Sequence, residues 1–268
     1  DNSLEPAGID LFLKIASSSS SHVNIVVQMD RTPGWKENNE WISGDSRYGN
    51  WTDCKRFYVT EGMTPTNESA TEHLGEKNMG HPDTLRNFIN WTIENYPANY
   101  YFLALWDHGT GCMGVCFDTT SADDCLSLPE LSQALSGLPA IIDAVLLDAC
   151  SMNMIEVSYQ IKDYANVLVG PEGLGYAPPP YDRYPSGLIG NSSMSPSAFA
   201  SEIVTEYIDW CMPIESIKNA TMSAIDLTKI ENLIAIVDDF ALKLKEKEIL
   251  YHEQISLARN QTEKYPGP

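Results

Sequence analysis

The chain has 268 residues, 43% of them hydrophobic and 20% charged, enough to bury one sizeable core without disulfide or metal staples. With 37 acidic against 17 basic residues the formal charge is −20, which excludes nucleic acid and anionic membrane as partners, because both demand a basic surface. No apolar run approaches the roughly 20 residues of a membrane span, and no basic segment followed by an apolar core opens the chain, so any secretion signal is expected to have been removed already. Asn-x-Ser/Thr sequons at Asn50, Asn67, Asn90, Asn191, Asn219 and Asn260 lean toward a secreted or cell-surface protein. Six irregularly spaced cysteines are too few for a disulfide scaffold, but leave one or two bridges open among Cys54, Cys112, Cys116, Cys125 and Cys211.

In chain order, residues 1–22 read as a flexible lead-in because of the serine run at 17–21, and a single domain is expected over 23–268. Residues 23–27 read as the first buried strand of the sheet, 31–53 as a decorated loop or hairpin, and 56–59 as a second strand. Leu85, Phe88, Ile89, Ile93 and Tyr96 share one helical face, with Asp83 placed to cap and Pro97 to stop the helix. Ser127 and Glu130 have capping-box spacing around Pro129 and open another helix. After it come the run at 144–147, a helix over 152–164, a buried strand at 166–169 and a Pro/Gly/Tyr-rich loop from Gly170 to Gly187. Ser195-Pro196 caps a helix carrying Phe199, Ile203 and Tyr207. The stripe Ile230, Leu233, Ile234, Val237, Phe240, Ala241 and Leu244 forms a long amphipathic helix, expected to pack on the sheet or its neighbours rather than to dimerise. Alternating strands and helices point to an α/β fold around a parallel sheet.

Two apolar runs end in reactive side chains: Tyr101 to Trp106 leads into Asp107-His108-Gly109, and Ala144 to Leu147 into Asp148-Ala149-Cys150. Working groups of buried parallel sheets sit at the carboxyl ends of strands, so His108 and Cys150 are expected on one rim, as a thiol nucleophile and its base require. A cysteine attacks as thiolate, which an adjacent histidine or a helix N-terminus favours. Gly109 lets main chain approach a substrate, and its N–H with that of Cys150 would make an oxyanion hole. Asp107, on the opposite strand face from His108, is expected to be structural. Asp148 lies two positions before Cys150 and so shares its face, open to a substrate-pocket role.

These residues stand in strings that resemble the caspase-like cysteine peptidases and, within them, the clostripain family. The strings include Asn78-Met-Gly80, Phe88-Ile-Asn-Trp91, Leu105-Trp-Asp-His-Gly109, Leu147-Asp-Ala-Cys150 with Met152 and Glu156, and Ser223-Ala-Ile-Asp226. The resemblance implies a three-layer α/β/α sandwich with a mostly parallel sheet. It also implies an endopeptidase whose Cys150 and His108 form the dyad and whose Asp148 receives Arg or Lys before the scissile bond. Glu172, Tyr176 and Asp182, from the loop after the next strand, are further candidates for the same pocket. Polypeptides with Arg or Lys are then the expected partners, and the protein is expected to be a monomer. No cofactor is required for such chemistry. Calcium, which some relatives use, could find hard oxygen ligands in acidic loops such as Asp118 to Asp124, although no ligand set is assigned. Zinc on His108, Cys112, Cys116 and Cys125 is a weaker reading, because the spacing lacks paired Cys-x₂-Cys knuckles. Many relatives are precursors cut at a basic residue in the loop after the His-Gly strand, but residues 115–127 contain no Lys or Arg. Relatives also run past the equivalent of Tyr265, so a truncated or processed chain is expected.

Overall fold

A computed structural model describes residues 2–20 and 23–265; Asp1, Ser21, His22 and residues 266–268, at the margins of the expected lead-in and at the chain's end, lie outside the described residues. The chain begins with helix α1, Glu5–Ser17, followed by strands β1 Val26–Met29, β2 Gly34–Glu37, β3 Glu40–Ser43, β4 Cys54–Tyr58 and β5 Glu72–Gly75. Next come α2 Pro82–Asn95, β6 Phe102–Trp106, β7 Val115–Asp118, β8 Asp124–Leu126, α3 Leu128–Leu135 and β9 Ile142–Asp148. The remainder is α4 Ile155–Ile161, β10 Ala165–Gly170, α5 Tyr184–Gly190, α6 Pro196–Cys211, β11 Ser223–Asp226 and α7 Ile230–Gln261.

The central sheet has the order β11-β10-β9-β6, with β6, β9 and β10 parallel and β11 antiparallel at the edge. Its strands are apolar on both faces, as a sheet covered on two sides requires. Along β9 the side chains alternate: Val145 and Leu147 join Leu85 and Ile89 of α2, Leu131 and Ala134 of α3, and Val157 and Ile161 of α4. Ala144 and Leu146 join Leu11 of α1, Tyr184 of α5, and Phe199, Ile203 and Tyr207 of α6. Three layers result. Ser127 and Glu130 form the expected capping box of α3, and the Ser195 hydroxyl accepts from Ala198 N at the start of α6. The cap of α2 is His81, whose Nδ1 accepts from Asp83 N, so the cap lies two residues earlier than the sequence suggests.

Several expectations change. The lead-in is helical: Ile9, Leu11, Phe12 and Ala16 are buried at helical spacing, and the serine run only ends the helix. β1 pairs antiparallel with β4 in a separate three-stranded sheet, β1-β4-β5, instead of opening the main one. Of the long stripe on α7, Ile230 alone is fully buried; the start of the helix meets α4, as expected of a neighbour, but Leu233, Val237 and Phe240 are 45%, 41% and 60% exposed, so most of that face stays uncovered. All six cysteines are free thiols, which removes the bridges left open above.

α1 is anchored by an ion pair sealed from water. Arg31 Nε donates to Glu5 Oε1 at 2.8 Å, with the two side chains 1% and 2% exposed. Thr32 N donates to Glu5 Oε2 at 2.9 Å, Arg31 Nη1 donates to Gly49 O at 3.1 Å, and the guanidinium lies 4.5 Å over the Trp51 ring. Removing one partner strands the other charge in the core, so Glu5→Ala is expected to cost roughly 3–5 kcal/mol of unfolding free energy, measured by urea denaturation.

Candidate active site

The register of the parallel pair determines what meets at the rim. Trp106 of β6 lies opposite Asp148 of β9, so the next residues of like parity, His108 and Cys150, leave neighbouring strand ends. Trp106 packs with Ala144 and Leu146 on the α1/α6 side of the sheet, and Asp148 shares their parity. The two ends are in direct contact. A Cβ built on Gly109 would stand 2.8 Å from Cys150 O and 2.8 Å from Ala149 Cβ. No side chain larger than hydrogen fits there. Gly109→Ala is accordingly expected to destabilise the fold by about 1–3 kcal/mol, read from thermal or urea unfolding, because the Cys150 turn must shift to admit the methyl.

His108 is exposed, and its Nε2 lies 3.3 Å from the Ser3 hydroxyl. The bonds Cys116 N to His108 O, 3.3 Å, and Thr110 N to Gly114 O, 3.0 Å, fold the following hairpin back on the Gly109–Val115 bridge, leaving the Gly109 N–H outside that ladder. Asp107 turns away from the imidazole. Its Oδ1 accepts from His108 N at 2.5 Å and from Asn2 Nδ2 at 2.7 Å, and burial pushes the pKa of its carboxyl up, making it a weaker acid.

The Cys150 sulfur meets main chain of the loop after β10: Gly175 N donates to Sγ at 3.4 Å, and Sγ lies 3.8 Å from Gly175 O. Gly175 was not singled out from sequence; its place in a Pro/Gly/Tyr-rich loop leaving the neighbouring strand is the signal that could have found it. The turn after Cys150 is held by Ser151 N to Gly173 O, 2.6 Å, and Asn153 N to Pro171 O, 3.0 Å. These bonds delay the next helix. α4 starts at Ile155 rather than 152, so its N-terminus is not adjacent to the thiol as the sequence suggested.

Asp148 is 3% exposed, and its Oδ2 has no hydrogen-bond partner. Burial pushes its carboxyl up to about 7; the nearby Tyr181 phenol pulls the other way, but its hydroxyl does not reach hydrogen-bond geometry. The three other pocket candidates are placed differently. Glu172 accepts from the Ser223 hydroxyl, which also accepts from Asn153 Nδ2 at 2.8 Å, tying that carboxylate into the support beneath the Cys150 turn. Tyr176 donates its backbone N–H to the Tyr207 hydroxyl at 3.2 Å. Asp182 faces Lys14 of α1, whose ammonium donates to Pro178 O and Pro179 O at 2.9 and 3.0 Å.

Among the described residues His108, Cys112, Cys116 and Cys125 form no group close enough to share a metal, so the zinc reading lapses. Cys116 is instead a free, half-buried cysteine, and desolvation opposes the ionisation of its thiol.

An α/β/α sandwich that brings a histidine and a cysteine to adjacent carboxyl ends of parallel strands is the caspase-like architecture. The chain belongs to the clostripain family, whose model matches residues 1–265. It is 26% identical over 185 residues to clostripain of Hathewaya histolytica, covering 60% of this chain and 34% of that protein. Among solved structures it is similar to a secreted C11 cysteine protease from Bacteroides thetaiotaomicron in complex with an irreversible peptide inhibitor, at 21% identity and a TM-score of 0.65 over 88% of this chain and 66% of that one. An inactive zymogen C11 protease from Parabacteroides distasonis matches at 21% identity and a TM-score of 0.63, over 88% of this chain and 61% of the other. The chain thus spans about a third of clostripain's length and less than two thirds, or just short of it, of these solved chains.

Proposed function

We propose that the protein is a cysteine endopeptidase that hydrolyses peptide bonds after Arg or Lys, working outside the cell. The observation that carries this reading is the close packing of Gly109 on the Cys150 turn, with His108 and Cys150 at matching register positions. Cys150 Sγ attacks the scissile carbonyl carbon while His108 takes the thiol proton and passes it to the leaving amine, giving a thioester acyl-enzyme. Water, deprotonated by His108, then cleaves the thioester and the sulfur is released. The N–H groups of Gly109 and Cys150 serve the oxyanion. The buried Asp148 is the counter-charge for a guanidinium or ammonium of the substrate, and membership of the clostripain family supports polypeptides as that substrate.

An extracellular setting is supported by the sequons, since Asn50, Asn67, Asn191, Asn219 and Asn260 are all exposed. Among the described residues no helix is long and apolar enough to cross a membrane. The test is a fluorogenic peptide ending in Arg, incubated with the reduced protein and with Cys150→Ala. Release of the fluorophore by the first and not the second is expected; equal rates overturn the reading.

A further inference from the structure

The residues just ahead of α1 come up against the strand end that carries His108. Asn2 is 5% exposed, and its side-chain amide is fully used. Nδ2 donates to Asp107 Oδ1 at 2.7 Å and to Phe117 O at 2.8 Å, while Oδ1 accepts from Leu4 N at 2.9 Å. One amide thus ties the residue before His108 to β7 in the hairpin after it. Asp107 Oδ1 also accepts from His108 N, and Cys116 N donates to His108 O at 3.3 Å, so the main chain of His108 is held on both sides. Ser3, the next residue, puts its hydroxyl 3.3 Å from His108 Nε2. The segment itself is anchored. Glu5 N donates to Asn2 O at 3.1 Å, and the Glu5 carboxylate carries the sealed ion pair with Arg31.

A neutral imidazole holds its proton on one nitrogen, and the hydrogen bond made at the ring decides which. A hydroxyl can donate or accept, but only acceptance serves a base in both of its states. Once His108 has taken a proton it bears an N–H on each nitrogen. Ser3 Oγ can accept from Nε2–H before and after that event, whereas a donating hydroxyl would lose its acceptor and have to turn. Nε2–H held by Ser3 leaves Nδ1 as the basic nitrogen. Asp107 cannot do this for the ring, because it turns away from the imidazole to the His108 backbone and Asn2.

We propose that Asn2 and Ser3 are positioning residues for His108. Asn2, through Asp107, fixes the main chain that carries the imidazole; Ser3 Oγ, accepting from Nε2–H, fixes the ring and leaves Nδ1 to take the proton of Cys150 Sγ. In that transfer the sulfur keeps the electron pair of its S–H bond, and Ser3 exchanges no proton. The transfer rests on the peptidase reading, but the tautomer of the ring does not.

Nitrogen-15 spectra of the histidine side chains, with the His108 resonances assigned by their loss in His108→Ala, should show the neutral ring of the parent as the Nε2–H form. Ser3→Ala should give resonances averaged between the two tautomers, and Ser3→Thr, which keeps the hydroxyl, should return those of the parent. Loss of one hydrogen bond to an imidazolium should lower kcat of Ser3→Ala on an arginyl peptide by about tenfold with KM within about twofold, and Ser3→Thr should recover most of it. Asn2→Ala should lower kcat at least as far. Ser3 and His108 are both exposed, so the Ser3 variants stay folded and informative even if Asn2→Ala does not. An Nδ1–H form in the parent, identical spectra for parent and Ser3→Ala, or a kcat unchanged in Ser3→Ala overturns the proposal. The expected spectra from a parent that cleaves no peptide would uphold the orientation of the ring and overturn the peptidase reading instead.

Discussion

Cys150→Ala and His108→Ala are each expected to lower kcat/KM toward an arginyl peptide by on the order of 10⁴-fold or more, with the double variant no worse than the poorer single one. A nucleophile and the base that serves it act as a unit, so once either is lost the other has nothing to act on. The residual rate would come from the oxyanion donors and substrate binding, which neither substitution touches. His108 is exposed and Cys150 half-buried at a turn, so unfolding midpoints of all three variants should stay near that of the parent. Losses that multiply in the double variant would mean that the two side chains do not work on one bond. A Cys150→Ala variant as fast as the parent would remove the thiol from the chemistry altogether.

That His108 and Cys150 leave neighbouring strand ends was legible because a parallel sheet writes itself as continuous apolar runs, and β6, β9 and β10 each carry one ending at a turn of the candidate site. The period-two alternation of β9 likewise places Asp148 on the face of Ala144 and Leu146, as the structure has it. What stayed hidden depended on partners distant in sequence. α1 carries Ile9, Phe12 and Ala16 at helical spacing, but the serines beside it suggested flexibility, and the Glu5–Arg31 pair that anchors it spans 26 positions. β1 resembles a main-sheet strand in composition; its antiparallel partner β4, which puts it in another sheet, cannot be read from its own residues. Periodicity on α7 promised a buried face, yet periodicity reports only that a face exists, not that this chain covers it.

Asp148→Asn is expected to cut the preference for Arg over the uncharged isostere citrulline by on the order of 10²-fold or more at pH 8, because truncating one side of a buried, hydrogen-bonded charge pair costs several kcal/mol. Using the ratio of the two substrates cancels the titration of the dyad. In the parent the ratio should rise as pH increases through about 7, where Asp148 loses its proton and becomes able to pair with the guanidinium. In Asp148→Asn it should be flat. Stability should move the opposite way. An aspartate ionises near about 3.9 in the unfolded chain and Asp148 at about 7 in the folded one, so between these values the native state holds the extra proton and stability falls as pH rises. The full cost, roughly 4 kcal/mol, is present above pH 7 and absent below about 4. The Asn variant carries no such charge, so its unfolding free energy relative to the parent should improve between pH 5 and pH 8. An unaltered Arg preference would take Asp148 out of the pocket. A variant that loses the preference and gains stability at alkaline pH would mean that the fold keeps an unpaired buried acid at its own expense, for the substrate's positive charge to complete.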